Sequence, residues 1–301
     1  MRQNRARAAF LAAVLLYGTI GLLLRLIHAS SEFVVLCRSV IGTLTIAGVF
    51  VVRRRPPDWA ALRRNGVLLA ISGGCLGLNW VLLFSAYRVT TVAVASLCNY
   101  MAPIVVLLLS PLVLGERLTA KKWLCVGVAF AGIVLVSGVI GGAGAGVNVQ
   151  GVALGLGAAA GFVGVVLCNK RIHGVQPLEK AMAQLFVAAL VVLPYVLARD
   201  QSELLSIDPR SIALLVMLGV LHTGVAYILY FGGMSRLPVQ SVAVLGYLEP
   251  VESVLISALV LHEAMGVAGV IGTVMILGAA IWSESMKPAP ANVTPTRKKE
   301  E

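Results

Sequence analysis

Ten long apolar stretches, separated by short polar segments, constrain this chain more than any other feature of its sequence. A helix rises 1.5 Å per residue, so about 20 apolar residues are needed to cross roughly 30 Å of hydrocarbon. The stretches lack the alternation of period two that strands of a membrane β-barrel require. The sequence therefore predicts membrane-spanning helices, at 8–27, 32–52, 66–87, 92–112, 122–140, 151–169, 178–198, 212–233, 239–260 and 266–284.

Composition agrees with an all-α integral membrane protein of ten transmembrane helices. The 301 residues are 59% hydrophobic and 12% charged, whereas about a quarter of the residues in a soluble domain are charged. A water-exposed surface needs polar groups that this chain lacks, and a lipid bilayer removes that need.

The distribution of basic residues predicts the direction of the spans. With a cytoplasmic N-terminus, 18 of the 24 lysines and arginines fall in cytoplasmic segments, and four fall outside, at Arg25, Arg88, Arg199 and Arg210. The remaining two, Arg38 and Lys180, lie within spans. Because cytoplasmic loops are enriched in Lys and Arg, we expect a multi-pass protein of the inner membrane with both termini in the cytoplasm. The same distribution accounts for the net charge of +11 without a nucleic-acid partner.

Several residues recur at an offset of 147 positions, which indicates an internal repeat. The matched pairs are YMAP at 100–103 with YLEP at 247–250, Glu116 with Glu263, and Trp80 with Tyr227. Five spans per copy is an odd number, so the second copy is expected to cross the membrane inverted. Inverted repeats are typical of secondary transporters, which bind solutes near the bilayer midplane between the copies.

The predicted organisation follows from this offset. It consists of a first five-helix repeat at 1–140, a periplasmic linker at 141–150, a second five-helix repeat at 151–284 and a disordered cytoplasmic tail at 285–301.

The pattern P-x(12)-E occurs twice, from Pro103 to Glu116 and from Pro250 to Glu263, and a glycine-rich final span follows each occurrence. Together with Arg38 in LCRSVIG, this chain resembles the drug/metabolite transporter superfamily, and within it the EamA-type ten-span exporters. The resemblance implies two inverted five-helix repeats around a central cavity, and export of amino acids or other small metabolites. His262 departs from it, since the family usually has glycine there.

Three charged residues within the spans are candidates for function. Glu249 and Glu252 lie three residues apart in the ninth span and so share a helix face. A charge near the bilayer centre costs at least about 2.5 kcal/mol, so it normally faces a cavity or a partner. The two acids can bind a substrate ammonium group, carry a coupling proton or form a buried structural pair. Arg38 can bind a substrate carboxylate, hold helices together or extend toward the interface.

Aromatic and amide side chains near the middle of the spans complete the predicted substrate site. Trp80 and Tyr227 occupy matched positions, Asn79 precedes Trp80, and Tyr230 follows Tyr227 by one turn. With Arg38 and Glu249 they are predicted to line a cavity suited to an amino acid, and helix packing is the alternative for the aromatic rings.

Loop and helix-breaking residues add two further predictions. Pro103 and Pro250 are predicted hinges, because proline removes a backbone donor and tends to kink a helix. Glu116 and Glu263 are predicted to organise turns or cap adjoining helices on opposite faces of the membrane.

No motif points to an enzyme, a cofactor or a metal. The glycine-rich GGAGAG lacks the Lys-Ser/Thr end of a phosphate-binding loop, and the five cysteines lie inside spans without a CxxC pair. We therefore predict a secondary transporter of small solutes that exports by alternating access. A non-transporting membrane sensor or scaffold and an intramembrane lipid-modifying enzyme are the alternatives, and the oligomeric state is left open.

Overall fold

A computed structural model describes residues 2–114, 119–137, 149–198, 207–263 and 265–285, and all regular structure in these ranges is helical. The helices are α1 (Arg2–Gly18), α2 (Ile20–Leu26), α3 (Ser31–Val52), α4 (Trp59–Arg64), α5 (Gly66–Val89), α6 (Val92–Asn99), α7 (Ala102–Leu114), α8 (Ala120–Val136), α9 (Val149–Arg171), α10 (Pro177–Leu197), α11 (Pro209–Gly219), α12 (Ala226–Met234), α13 (Val239–Gly246), α14 (Leu248–Leu259) and α15 (Val267–Ser285). The predicted loop residue Glu116, the linker up to residue 148 and the tail from residue 286 lie outside the described residues.

The helices confirm the predicted all-α membrane fold. Seven helical stretches are long and apolar enough to cross a bilayer, and a further apolar helix at 267–283 is shorter. The seven run over Gln3–Leu26, Ser31–Val52, Gly66–Val89, Val92–Leu109, Val149–Arg171, Pro177–Leu197 and Pro209–Met234. The shorter helix lies at the predicted tenth span, and α8 and the α13–α14 pair lie where the fifth and ninth spans are predicted.

Contacts between the helices of the two halves follow a twofold pattern. The third span (α5) packs on the sixth (α9), as the eighth span packs through α12 on the first (α1). The second and seventh spans (α3 and α10) pack directly on each other, and so do the fifth and tenth (α8 and α15). Exchanging each span with the one five positions away leaves this pattern unchanged, as two inverted five-helix repeats require.

The fifth and tenth spans approach backbone to backbone. A Cβ atom added at Gly132 would lie 2.8 Å from the carbonyl oxygen of Gly272, and one added at Gly272 would lie 2.5 Å from the carbonyl oxygen of Gly132. Any larger residue would therefore push the two helices apart, which is the usual reason for glycine at helix contacts in membranes.

Two predicted spans contain breaks that hydropathy alone does not reveal. The stretch 92–112 is interrupted at residues 100–101, and the stretch 239–260 is interrupted at Tyr247. Each break precedes a matched proline, Pro103 or Pro250, by about one turn. Proline cannot donate to the carbonyl four residues earlier and its ring crowds that carbonyl, so the regular helix ends there.

The eighth span contains a π-helical segment, Val220–Val225, between α11 and α12. Thr223 Oγ1 donates to the carbonyl oxygen of Leu218 at 3.0 Å, and His222 Nδ1 lies 3.4 Å from the carbonyl oxygen of Met217. Such segments rarely extend beyond one turn and frequently occur at functional sites. The sequence pattern gave no indication of this wider turn.

Candidate functional site

A cavity of about 420 Å³ lies between the two halves and is lined by side chains from both. All six residues predicted to bind substrate line it, namely Arg38, Asn79, Trp80, Tyr227, Tyr230 and Glu249. Pro103 also lines it. The inverted repeat explains this convergence, because the matched third and eighth spans supply Trp80 and Tyr227 from opposite halves.

Arg38 is a buried cation held by an aromatic ring and a hydroxyl group. Its side chain is 4% exposed, Nε donates to Thr223 Oγ1 at 2.8 Å, and Cζ lies 3.9 Å from the centre of the Trp80 ring. The ring stabilises the cation without neutralising it. Among the described residues, no carboxylate oxygen lies within 4 Å of the guanidinium nitrogens. Arg38 therefore has unused capacity to bind an anionic group.

Glu249 owes its position to the break in the ninth span. Because the helix restarts at Leu248, Glu249 lies in the first turn of α14, where free backbone N–H groups and the helix dipole favour a negative charge. The Tyr100 side chain lies beside its carboxylate. Tyr100 lies at the matching break in the first half, so the two breaks meet across the cavity.

Tyrosine and phenylalanine side chains form one wall of the cavity. The Tyr17 ring centre lies 6.1 Å from that of Tyr227 and 5.9 Å from that of Tyr230. The Phe231 ring centre lies 5.7 Å from that of Tyr227 and 5.4 Å from that of Tyr230. Sequence reasoning missed Tyr17 and Phe231. No spacing in the sequence identifies these two residues, although five of the chain's seven tyrosines line this cavity.

Amide side chains form the opposite part of the lining and mostly bind one another. Asn79 Nδ2 donates to Asn99 Oδ1 at 2.9 Å and to the carbonyl oxygen of Ala158 at 2.7 Å. Gln184 Nε2 donates to Asn169 Oδ1 at 2.8 Å. Both N–H donors of Asn79 are thus used within the protein, so this residue positions helices as well as lining the cavity. Asn99, Asn169 and Gln184 were not predicted.

Glu252 lies on a different surface from Glu249 and is not among the residues that line the cavity. Its carboxylate packs on Gly18, where an added Cβ would lie 2.2 Å from Oε2. Ser253 Oγ donates to the Gly18 carbonyl oxygen at 3.4 Å. Among the described residues, Glu252 Oε2 is buried without a hydrogen-bond partner. A spacing of three residues therefore brings the two acids close without directing both into one site.

One end of the molecule is held together across the two halves, and we call it the tied end (residues 27–30, 90–91 and 260–263). Arg25 Nη2 lies 2.5 Å from Glu263 Oε1, and Glu263 also accepts from the Val92 backbone N–H at 2.9 Å and from Ser257 Oγ. Val92 is the first residue of α6, so Glu263 caps an adjoining helix, as its predicted role requires.

The opposite end carries most of the described basic loop residues, and we call it the basic end (residues 53–65, 172–176 and 235–238). Glu179 Oε1 accepts from the Asp58 backbone N–H at 3.2 Å, and Asn65 Nδ2 donates to the His173 carbonyl oxygen at 3.1 Å. The central cavity reaches toward this end, since Asn169 and Met234, near the ends of α9 and α12, belong to its lining.

Comparisons with known proteins agree with this architecture. The sequence profile of the EamA-like transporter family matches twice, at residues 5–138 and 149–284. The chain is 22% identical over 296 residues to the uncharacterized transporter YxxF of Bacillus subtilis, which covers 97% of this chain and 94% of the relative. It is 29% identical to protein PecM of Dickeya dadantii, covering 82% of each.

A crystal structure of another protein has the same fold, with a TM-score of 0.62 at 24% identity over 92% of this chain and 96% of the other. The family and the names of the relatives indicate a membrane transporter rather than an enzyme. With ten spans in two inverted repeats and a family profile that matches nearly all of its length, this chain belongs to the EamA-like transporter family.

Proposed function

We propose that this transporter exports amino acids or other small zwitterionic metabolites across the inner membrane as a secondary transporter. One observation supports this proposal most strongly. The central cavity contains a buried arginine without an ionic partner among the described residues, together with a carboxylate at a helix N-terminus. A solute with one carboxylate and one ammonium group matches both charges.

The cavity provides a place for each part of such a solute. The carboxylate binds Arg38, whose planar guanidinium suits two-point contact with carboxylate oxygens. The ammonium group binds Glu249, because an ionised carboxylate offers several acceptor sites. The apolar part of the solute packs on Trp80 and Tyr227. A volume of about 420 Å³ lies within the usual range for small-molecule pockets.

Alternating access requires the tied end to open while the basic end closes. The contacts of Glu263 with Arg25 and Val92 join the two halves, so they have to break in that step. The helix breaks before Pro103 and Pro250 provide flexible points next to the cavity. If both termini are cytoplasmic, as proposed, the basic end faces the cytoplasm, and solute enters the cavity from that end for export.

Coupling to protons would involve Glu249 and, next to it, Glu252. A protonated Glu249 cannot attract an ammonium group, so proton and solute would compete for the same carboxylate. Glu252, with one buried oxygen that lacks a partner among the described residues, is the second candidate.

Transport into inside-out vesicles tests the proposal, because these vesicles convert export into accumulation. We expect accumulation of labelled amino acids from a panel, in the absence of ATP, with a dependence on the proton gradient that Glu249→Gln removes. Loss of the same proton dependence in Glu252→Gln would assign a coupling role to the second acid. A panel that gives no accumulation above that of vesicles lacking the protein would overturn the substrate class.

Cysteine labelling tests the orientation independently. In a background without native cysteines, a cysteine at position 210, beside the tied end, should react with an impermeant reagent in intact cells. A cysteine at position 63, at the basic end, should react only after the membrane is broken. The reverse result would mean that both termini lie outside.

A further inference from the structure

A second cavity, of about 400 Å³, lies at the basic end between the two halves. Three arginines line it: Arg5 on α1, Arg53 directly after α3 and Arg236 after α12. The first two belong to the first repeat and the third to the second repeat. The cavity is therefore built by the interface between the halves and not by one loop.

The three guanidinium groups have no acidic partner within the part of the chain that the structure describes. Among the described residues, no carboxylate oxygen lies within 4 Å of Arg5, Arg53 or Arg236, and all three side chains are exposed. An excess of arginine at this end is expected of a membrane protein. That tendency does not require three arginines to surround one concavity, where like charges repel until an anion binds.

The remaining wall of the cavity is mainly apolar, with Gln176 and Ser235 as its other polar residues. Ile228, Leu229 and Phe231 of α12 line it together with Leu178 of α10. Gly232 leaves it open, since an added Cβ would meet no atom within 4 Å. These helices belong to the seventh and eighth spans, so the cavity combines cations at a membrane surface with an apolar wall that continues into the membrane.

We propose that this cavity binds the phosphate head of an anionic phospholipid. Guanidinium groups bind phosphate oxygens through paired N–H donors, and the apolar wall suits the glycerol and the first methylene groups of the acyl chains. Basic pockets between transmembrane helices are known sites for anionic lipid heads. A free phosphate-bearing solute shares the charged part of this chemistry, but it has no use for the apolar wall.

A lipid bound here would connect the two repeats at the basic end. Phe231 lines both this cavity and the central one, so it lies between the lipid and the solute. Movement of the halves in transport would change the distance between Arg236 and the other two arginines. A ligand that favours one such arrangement shifts the equilibrium toward it.

Binding of phosphatidylglycerol to the purified full-length protein tests this inference, with phosphatidylcholine as the neutral comparison. Native mass spectrometry should show one phosphatidylglycerol retained in preference to phosphatidylcholine. The triple variant R5Q/R53Q/R236Q should weaken this binding on the order of 100-fold, and each single variant about fivefold. Gly232→Leu should also weaken it, because it fills the cavity with all three charges intact.

A matched control separates the cavity from the overall charge of this end. The variant R63Q/R64Q/R171Q removes three exposed arginines of the basic end that do not line the cavity, and it should retain phosphatidylglycerol. Equal losses in both triple variants, or full binding in Gly232→Leu, would overturn the proposed site. Inorganic phosphate that displaces phosphatidylglycerol at comparable concentration would identify a free anion as the occupant and overturn the lipid assignment.

Discussion

The two halves of this transporter share a backbone design but differ in charge. Each half contains a helix break one turn before a proline, and each break directs a helix N-terminus toward the cavity. In the second half that N-terminus carries Glu249, whereas the matched residue in the first half is Ala102. Arg38 in the first half is matched by Leu185. Duplication thus explains the geometry of the cavity, and its charges come from differences between the copies.

This difference in charge can be removed by substituting Arg38 or Glu249, and each substitution should have the largest effect on transport. We expect Arg38→Ala and Glu249→Ala each to lower transport per folded molecule about 10- to 100-fold, the range for losing a hydrogen bond to a charged group. Transport into vesicles, normalised to monodisperse protein, measures this effect. Arg63→Ala, which removes an exposed arginine outside the cavity, is the control.

Arg38→Lys provides a second test of this role if Arg38→Ala folds poorly. It retains the charge but loses the two-point geometry and the flat contact with Trp80, so transport should fall less than in Arg38→Ala. Wild-type rates in all of these variants would contradict a role for the cavity in solute binding.

The matched prolines offer a direct comparison of the two breaks. Pro250→Ala supplies an N–H group for the carbonyl oxygen of Gly246 and favours a continuous ninth span, which withdraws Glu249 from a helix N-terminus. Pro103→Ala does the same to the fourth span, where no charge depends on the break. We expect transport to fall about tenfold in the first variant and about threefold in the second. Equal losses would show that the breaks serve movement alone.

Much of the fold, and part of the site, could be predicted from the sequence. Hydropathy located all ten spans, because crossing a bilayer requires a length of apolar chain that few other structures need. The offset of 147 placed Trp80 and Tyr227 at matched positions, and both line the cavity. Proline positions indicated bending, although the breaks themselves were not predicted.

The remaining features depend on helix rotation and on distant contacts, which spacing does not determine. Glu252 is three residues from Glu249 yet packs on Gly18. Thr223 meets Arg38 within a π-helical segment whose wider turn changes which residues face the second span. The helix-capping role of Glu263 was predicted, but its partners Arg25 and Val92 are far away in sequence.

The two ends of the molecule also differ, because an ion pair joins the halves at the tied end. Removing this ion pair tests whether it keeps the tied end closed. Glu263→Gln and Arg25→Gln each remove the charge pair between the halves, in which the side chains are 13% and 32% exposed. We expect a cysteine at position 20, which lines the cavity, to react about two- to fivefold faster with a reagent added from the tied end. Arg210→Gln, beside the same end, should leave this rate unchanged.

The smallest expected effect concerns the starts of the matched third and eighth spans. Asp208 caps α11, since its carboxylate accepts from the Ser211 backbone N–H at 2.9 Å and from Ser211 Oγ at 2.7 Å. These bonds, with a contribution from His28, lower the pKa of Asp208 to about 2. At the start of α5, Asn65 makes no such side-chain bond. Of these two spans, the eighth alone begins with a cap that titrates.

A lowered pKa means that the folded state favours the ionised form of Asp208. Its stabilising contribution is complete above the ordinary pKa of about 4 and is lost as the pH falls toward 2. Hydrogen exchange at residues 210–213 should therefore quicken between pH 4 and pH 2, relative to the intrinsic rate, and exchange at residues 66–70 should not. Asp208→Asn should remove this pH dependence while retaining an acceptor for the Ser211 N–H. Acceleration of equal size at both helix starts would show that acid loosens the membrane domain as a whole and not this cap.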